Sequence, residues 1–213
     1  MQSYRGNSGK GICSRPLRSN MNILVKSAKT GRFICRPDTS WERENNDFYV
    51  SEAIDSLFWS PILFTRIVKA GKGVGEKFAG RYHESFGFGL LLYVGNFLPD
   101  MAAASCADHT SVIPFPLYND IVLETPENEF TLEADSRVIY RRLTGDAVEG
   151  MSAKQALDKA LCQCTSLTSV RIGDILAVEL QEPRLLEKTE GQTVTKISAN
   201  FCDNSIFDFN IIY

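Results

Sequence analysis

The sequence predicts an α+β protein that is mainly β, in the form of a roll or sandwich with a few short helices. About ten segments have the length and composition of strands, whereas only about two have the periodicity of a helix. The strand segments follow one another along the chain instead of alternating with helices, which argues against a doubly wound parallel sheet.

The strand predictions come from apolar runs bounded by turn residues. In chain order they cover residues 22–26, 32–36, 47–50, 62–68, 86–94, 120–124, 129–134, 137–142, 174–180, 193–201 and 205–213. Lys29-Thr30-Gly31 predicts a hairpin turn between the first two strands, and Cys202-Asp203-Asn204 predicts another before the last strand. Residues 86–94 show no polar alternation, which is typical of a strand buried on both faces.

Two segments show helical patterns. Phe78, Ala79 and Tyr82 would share one face of a short helix over residues 76–85. Ser152 and Gln155 have the spacing of a capping box, and an apolar stripe follows them, so we predict a second helix over residues 152–163.

Length and composition are those of a soluble globular protein. The chain has 213 residues, of which 44% are hydrophobic, and this is enough for one sizeable domain. The formal net charge of −3 argues against general nucleic-acid binding, which needs a basic face. No apolar run approaches the ~20 residues of a membrane-spanning helix, so we expect no membrane association.

Residues 1–20 differ from the rest of the chain. They contain four basic residues and no acidic one, and they are rich in Gly, Ser and Asn. Such a segment buries too little apolar surface to offset its ordering entropy, so we predict a disordered basic tail over residues 1–20 and one domain over residues 21–213. Met21, directly after the tail, is an alternative start residue.

The cysteines and histidines give no strong sign of a metal site. No C-x-x-C pair occurs among the six cysteines, and we expect reduced thiols in a cytoplasmic protein. Cys162 and Cys164 are two residues apart on the predicted helix, so they point to different sides. Neither His83 nor His109 has a pairing partner nearby in the sequence, and we interpret both as structural.

Four stretches, taken in order, resemble one known family. They are RPDTS (36–40), RIVKAGKGVGEKFAGRYHESFGFG (66–89), ALDKALCQCTSLTSVRIGDIL (156–176) and FDFNIIY (207–213). Their order and spacing are similar to those of the fumarylacetoacetate hydrolase family, over about residues 30–213. The resemblance implies a mixed β-sandwich roll with a few short helices, and it implies a homodimer.

The resemblance also implies a metal site, and the chain departs from the family there. Family members hold a divalent metal through a Glu-x-Glu pair and an aspartate, and the metal promotes C–C hydrolysis, decarboxylation or isomerisation of dicarbonyl acids. The Glu-x-Glu positions fall on Ser60 and Ile62, and the aspartate position falls on Leu91. These three side chains cannot form an octahedral oxygen site, so we expect no bound metal or other cofactor.

Further family positions are also changed, while structural glycines remain. The changed positions correspond to Gly95, Leu98, Ser105, Glu179, Leu180 and Gln181, and the retained glycines are Gly71, Gly89 and Gly173. Glycines preserve backbone shape, whereas the changed residues carry the chemistry. This pattern predicts a scaffold whose metal site has been filled with apolar side chains.

Two functions are compatible with this pattern. The first is a catalytically inactive protein that acts as a binding or assembly subunit, as a homodimer or beside an active homologue, with an unidentified small-molecule ligand. The alternative is a Mg²⁺- or Mn²⁺-dependent hydrolase, decarboxylase or isomerase of acylpyruvate-type acids, with a relocated site. The candidate acids for a relocated site are Glu52, Asp55, Glu84, Asp100 and Asp108.

Overall fold

The structure is a computed structural model that describes residues 21–213, and the predicted basic tail lies outside these residues. Its strands form two sheets. The first sheet contains β1 (Ile23–Lys26), β2 (Phe33–Arg36), β3 (Trp41–Glu42), β5 (Leu57–Ile67), β6 (His83–Val94), β7 (Ser111–Val112), β10 (Ile175–Glu179) and β11 (Arg184–Leu185). The second sheet contains β4 (Phe48–Tyr49), β8 (Glu129–Ala134), β9 (Arg137–Leu143), β12 (Val194–Phe201) and β13 (Asn204–Ile212).

The helices of this part of the chain are few and short. They are α1 (Met101–Ala104), α2 (Asp120–Glu124) and α3 (Ala153–Leu167), together with 3₁₀ turns at Asp38–Ser40, Glu76–Arg81 and Gly95–Phe97. The prediction of a mainly β fold with a few short helices is therefore confirmed.

Both sheets are mixed. The first has the order β2-β1-β10-β5-β6-β7-β3, with β11 added to β5, and its β1–β10 and β3–β7 pairs are parallel. The second has the order β4-β13-β12-β8-β9, and its β4–β13 pair is parallel. The remaining pairs that join these strands are antiparallel.

The first sheet curls until its two ends approach each other, and we call it the roll. β2 and β6 are four positions apart in the strand order, which corresponds to roughly 19 Å at a spacing of about 4.8 Å. Arg36 of β2 nevertheless donates from Nη2 to the carbonyl oxygen of Leu92 in β6, at 2.7 Å. An arginine side chain is much shorter than 19 Å, so the sheet must curve to bring β2 next to β6.

The two faces of the roll contact two separate apolar clusters. The outer face packs against α3 and the second sheet, in a cluster that includes Leu63, Leu157 and Phe207. The inner face encloses a smaller cluster, which we call the roll interior. Its members are Ile23, Val25, Ile62, Phe64, Leu91, Tyr93, Ala104, Ile113, Ile175 and Ala177, and all are at most 1% exposed.

Two of the element predictions are wrong. Residues 120–124 form α2 and not a strand, because the Asn119 side chain caps the segment by accepting from the Val122 amide at 3.2 Å. Residues 76–81 form a 3₁₀ turn, after which β6 begins at His83, so no helix extends to residue 85. Ala79 is buried there but Phe78 is 47% exposed, so the proposed helical face does not exist.

Candidate functional site

The structure places Ser60, Ile62 and Leu91 on one face of the roll. Ser60 and Leu91 are directly opposite each other in the β5–β6 ladder, and Ile62 lies two residues along β5. Residues two apart on a strand point to the same side. All three are 0% exposed, so the side chains at these positions are buried together.

Each of the three side chains has a defined role in packing. The Ser60 hydroxyl donates to the carbonyl oxygen of Gln181 at 2.8 Å. Ile62 and Leu91 belong to the apolar roll interior. Gly89, opposite Ile62, permits this packing, because a Cβ atom there would lie 2.4 Å from the carbonyl oxygen of Val112.

This environment does not fit a divalent metal. Mg²⁺ and Mn²⁺ require several oxygen or nitrogen ligands, whereas Ile62 and Leu91 have no lone pairs and the Ser60 hydroxyl is engaged with a backbone carbonyl. Within residues 21–213, no three His, Cys, Asp or Glu side chains are close enough to hold a metal ion. The five acids considered for a relocated site, Glu52, Asp55, Glu84, Asp100 and Asp108, are all exposed.

A buried polar cluster, not predicted from the sequence, adjoins the three positions. Glu179 is the register partner of Ile62 across the β10–β5 pair, and it is 3% exposed. The Tyr93 hydroxyl donates to its Oε1 atom, and the backbone amide of Ala28 donates to Oε2 at 2.8 Å. The Arg36 guanidinium lies over the Tyr93 ring, 4.8 Å from its centroid. We call Arg36, Tyr93 and Glu179 the buried triad.

Arg36 is incompletely paired within the described residues. Its Nη2 atom donates to Leu92 O, to Thr110 O and to the Thr110 hydroxyl, at 2.7, 3.1 and 2.8 Å. Its Nε and Nη1 atoms have no partner in this part of the chain, and it forms no ion pair with Glu179 within 4.0 Å. Tyr93 thus links the cation and the carboxylate.

Burial shifts the pKa values of all three groups towards their neutral forms. Desolvation raises the pKa of Glu179, and the hydrogen bonds from Tyr93 and Ala28 only partly oppose it. Burial beside the Glu179 carboxylate also raises the pKa of the Tyr93 phenol well above its ordinary value. Burial lowers the pKa of Arg36, with Tyr93 and Glu179 opposing the change.

One sequence signal could have identified the buried triad. Glu179 is a lone acid inside DILAVEL, a segment that is otherwise apolar after its first residue. A charge in such a run is rarely buried without a partner. The sequence interpretation instead treated Glu179 only as a changed family position.

Each histidine has an acidic partner from a distant part of the chain. His83 Nε2 lies 2.8 Å from Asp158 Oδ1, and its Nδ1 lies 3.2 Å from the Thr65 hydroxyl. His109 Nδ1 lies 2.8 Å from Glu42 Oε2. Local sequence does not show these contacts, because both acidic partners lie far along the chain. The interpretation of both histidines as structural stays a prediction.

The cysteines of residues 21–213 form no disulfide. The five cysteines in residues 21–213 are free, with Cys164 buried and Cys162 half-buried on α3. No helix in the described part of the chain is long and apolar enough to cross a membrane.

Comparison with known proteins identifies the fold. No family model and no curated protein matches the sequence. A fumarylacetoacetate hydrolase family protein from Yersinia pestis superposes with a TM-score of 0.71 at 12% identity, over 91% of this chain and 93% of that chain. Fumarylpyruvate hydrolase from Pseudomonas aeruginosa, solved with Mn²⁺ and pyruvate, gives 0.70 at 11% identity, over 91% and 90%.

An isomerase has the same fold. The 5-carboxymethyl-2-hydroxymuconate delta-isomerase of Mycobacterium smegmatis gives a TM-score of 0.70 at 12% identity, over 91% of this chain and 79% of that chain. Because the agreement extends over nearly all of residues 21–213, the chain has the fold of the fumarylacetoacetate hydrolase family.

Proposed function

We propose that this protein is a non-catalytic form of the fumarylacetoacetate hydrolase fold, which acts as a binding or assembly subunit. The main support is the apolar packing at Ile62 and Leu91, the positions that the family resemblance assigns to metal-binding carboxylates. A buried isoleucine and leucine stabilise the roll by packing, and they cannot polarise a dicarbonyl substrate.

The loss of a metal would remove most of the chemistry associated with this fold. A bound divalent ion stabilises the negative charge that develops on an enolate or a hydrated carbonyl. A side-chain base alone accelerates a reaction by about 10²- to 10⁴-fold. This acceleration is small compared with what C–C bond hydrolysis requires. We therefore propose binding without turnover.

The assembly is also part of the proposal. We propose a homodimer in the cytoplasm, with an active homologue as a second partner, on the basis of the family resemblance and the reduced thiols. Size-exclusion chromatography with light scattering measures the mass directly. A monomer at micromolar concentration would contradict the dimer, and it would leave the proposal about catalysis unaffected.

Metal analysis and activity assays test the proposed function. Protein purified without chelator should contain no stoichiometric Mg²⁺, Mn²⁺ or Ca²⁺. It should hydrolyse no acylpyruvate and decarboxylate no oxaloacetate, with or without added Mg²⁺ or Mn²⁺. The Pseudomonas aeruginosa fumarylpyruvate hydrolase, assayed in parallel, is the positive control for the acylpyruvate reaction. A bound stoichiometric metal or measurable turnover would contradict the proposal.

One observation favours the alternative, which is an enzyme with a relocated site. Glu179 is a buried acid with a raised pKa, and it lies directly opposite Ile62. Such groups are candidates for general acid–base catalysis. If turnover is found, its loss in Glu179→Gln would assign the activity to the buried triad. Its loss in Asp100→Asn or Asp108→Asn would instead indicate a relocated metal site at the surface.

A further inference from the structure

A cavity at the end of the roll remote from Ser60 has the properties of a ligand site. Its volume is about 410 Å³, within the range of small-molecule pockets, and it lies between β3, the end of β5 and the turn before β10. We call it the arginine groove. Its lining includes Met21, Trp41, Arg43, Arg66, Phe115 and Ile172.

The arginine groove is separate from the three positions assigned by the family resemblance. Arg66 and Ser60 are six residues apart on β5, which corresponds to roughly 20 Å. Phe64, which is fully buried, lies between them on the same face of the strand. Ser60, Ile62 and Leu91 are not among the residues that line the groove, so binding there does not depend on whether the protein is catalytic.

The charges in the groove favour an anion. Two guanidinium groups line it, and no acidic residue is among its lining residues. Within residues 21–213, Arg66 has no carboxylate within 4.0 Å, although Glu84 is its register partner on β6. Arg43 pairs at 3.4 Å only with its neighbour Glu44, and both side chains are more than half exposed, so this pair is weak. Both arginines can therefore donate to a carboxylate or a similar anion.

The walls of the groove favour a flat apolar body. The Trp41 and Phe115 rings have centroids 5.9 Å apart and are tilted by 58°. The Trp41 indole is fixed by donation from Nε1 to the carbonyl oxygen of Ile113 at 3.2 Å, and Arg43 lies over it at 5.3 Å. Phe115 and Ile172 are 45% and 67% exposed, so apolar surface is open to a ligand. Aromatic side chains of this kind bind planar rings by stacked or tilted contacts.

We propose that the arginine groove binds a small aromatic carboxylate, with its ring against Trp41 and Phe115 and its carboxylate on Arg43 and Arg66. A lone surface arginine would not justify this inference. It rests on the convergence of two arginines on one cavity that also has aromatic walls.

Binding of 2-naphthoate tests the proposal. Calorimetry measures its affinity, and saturation-transfer NMR shows whether it contacts the protein. We expect a Kd on the order of 1 mM or below, which is typical for a ligand of this size. The neutral analogue 2-naphthamide should bind at least about tenfold more weakly, because it cannot form charge-assisted hydrogen bonds. Equal binding of the two compounds, or no binding of 2-naphthoate, would overturn the proposal.

Matched variants locate the binding. The double variant Arg43→Gln, Arg66→Gln should weaken 2-naphthoate binding at least about tenfold, whereas Arg32→Gln, in an exposed hairpin outside the groove, should not.

Ile172→Glu places a charge of the same sign as the ligand in the groove and should also weaken 2-naphthoate binding. Leu167→Glu makes the same type of change at a 76% exposed position outside the groove lining and should have no effect. Unchanged affinity in both groove variants would overturn the proposal.

Discussion

At the scale of single residues, Arg36 is the side chain that joins the two ends of the roll. It extends from β2 to Leu92 in β6 and to Thr110 just before β7, towards the other end of the strand order. Its guanidinium lies over the Tyr93 ring, and the Tyr93 hydroxyl donates to Glu179. The ring and the carboxylate together compensate the positive charge of Arg36. A single buried side chain therefore forms hydrogen bonds between these two parts of the roll.

Replacing Arg36 should destabilise the protein strongly. Arg36→Met removes the hydrogen bonds to Leu92 and Thr110 and the cation that lies over the Tyr93 ring. We expect a loss of about 2–4 kcal/mol in the free energy of unfolding, measured by urea denaturation. Arg32→Met, at an exposed position, is the matched control and should change stability by less than about 0.5 kcal/mol. Similar stabilities for the two variants would show that Arg36 does not hold the roll together.

The raised pKa of Glu179 predicts a pH dependence of stability. Because burial raises this pKa in the folded state, the folded protein binds the proton more tightly than the unfolded protein does. The contribution of Glu179 to stability is greatest below its ordinary pKa of 4.5 and is lost as the pH rises through the folded-state pKa. Glu179→Gln does not titrate, so its stability relative to the parent should improve between about pH 4 and pH 7.

Urea denaturation across this pH range measures the effect. The quantity to compare is the difference in the free energy of unfolding between variant and parent, because the other titrating groups are common to both proteins. Glu190→Gln, at an exposed position, should give a difference that hardly changes with pH. A difference for Glu179→Gln that is constant, or a variant that loses stability relative to the parent as the pH rises, would contradict a raised pKa.

At the scale of elements, local sequence signals predicted most of the strands and the long helix. Residues 23–26, 33–36 and 194–201 form strands within the predicted segments, and α3 begins at the predicted capping box. The two predicted hairpin turns agree with the structure, since Gly31, Cys202 and Asp203 all have the positive φ angles of turn residues. These features depend on a few adjacent residues, which is why sequence patterns detect them.

The missed elements depend on distant contacts. β3, β7 and β11 are two residues long and exist because another strand pairs with them. β4 is equally short, but it lies in the predicted apolar segment 47–50. β3, β7 and β11 lie in no predicted strand segment and show no pattern of their own. The arrangement of the buried triad also depends on distant contacts, because its members come from β2, β6 and β10. Only Glu179, an acid in an apolar run, is marked in the sequence.

The capping box of α3 allows a quantitative test at this scale. The Ser152 hydroxyl accepts from the Gln155 amide at 3.3 Å, and the Gln155 side chain accepts from the Ser152 amide at 3.1 Å. Ser152→Ala removes the first bond and should lower the free energy of unfolding by about 1 kcal/mol. Ser169→Ala, at an exposed position after the helix, should have little effect. Equal stability of the two variants would mean that the cap does not contribute.

At the scale of the whole molecule, the chain shares its fold with solved structures to which its sequence is only 11–12% identical. Apolar alternation and a few glycines are sufficient to specify the sheets, and many side chains satisfy those requirements. Metal binding needs specific oxygen ligands at specific positions. The roll can therefore form with Ser60, Ile62 and Leu91 at the positions where the family resemblance implies metal ligands.

Restoring the carboxylates tests whether the roll still has the geometry of a metal site. The triple variant Ser60→Glu, Ile62→Glu, Leu91→Asp places three carboxylates near Glu179 in a buried apolar space. Like charges and lost hydration should destabilise it strongly in the absence of metal. Mg²⁺ that binds only the folded state should restore stability, by about 2.7 kcal/mol when its concentration is 100 times its Kd.

A second triple variant provides the control for this experiment. Ser60→Glu, Leu63→Glu, Leu91→Asp carries the same charges, but Leu63 packs in the outer cluster and its replacement points away from the other two. Thermal unfolding with and without Mg²⁺ compares the two variants, and we expect an increase in Tm only for the first. If Mg²⁺ stabilises both equally, the effect is general screening of charge. If it stabilises neither, the three side chains do not converge on one ion, and their assignment as former metal ligands is wrong.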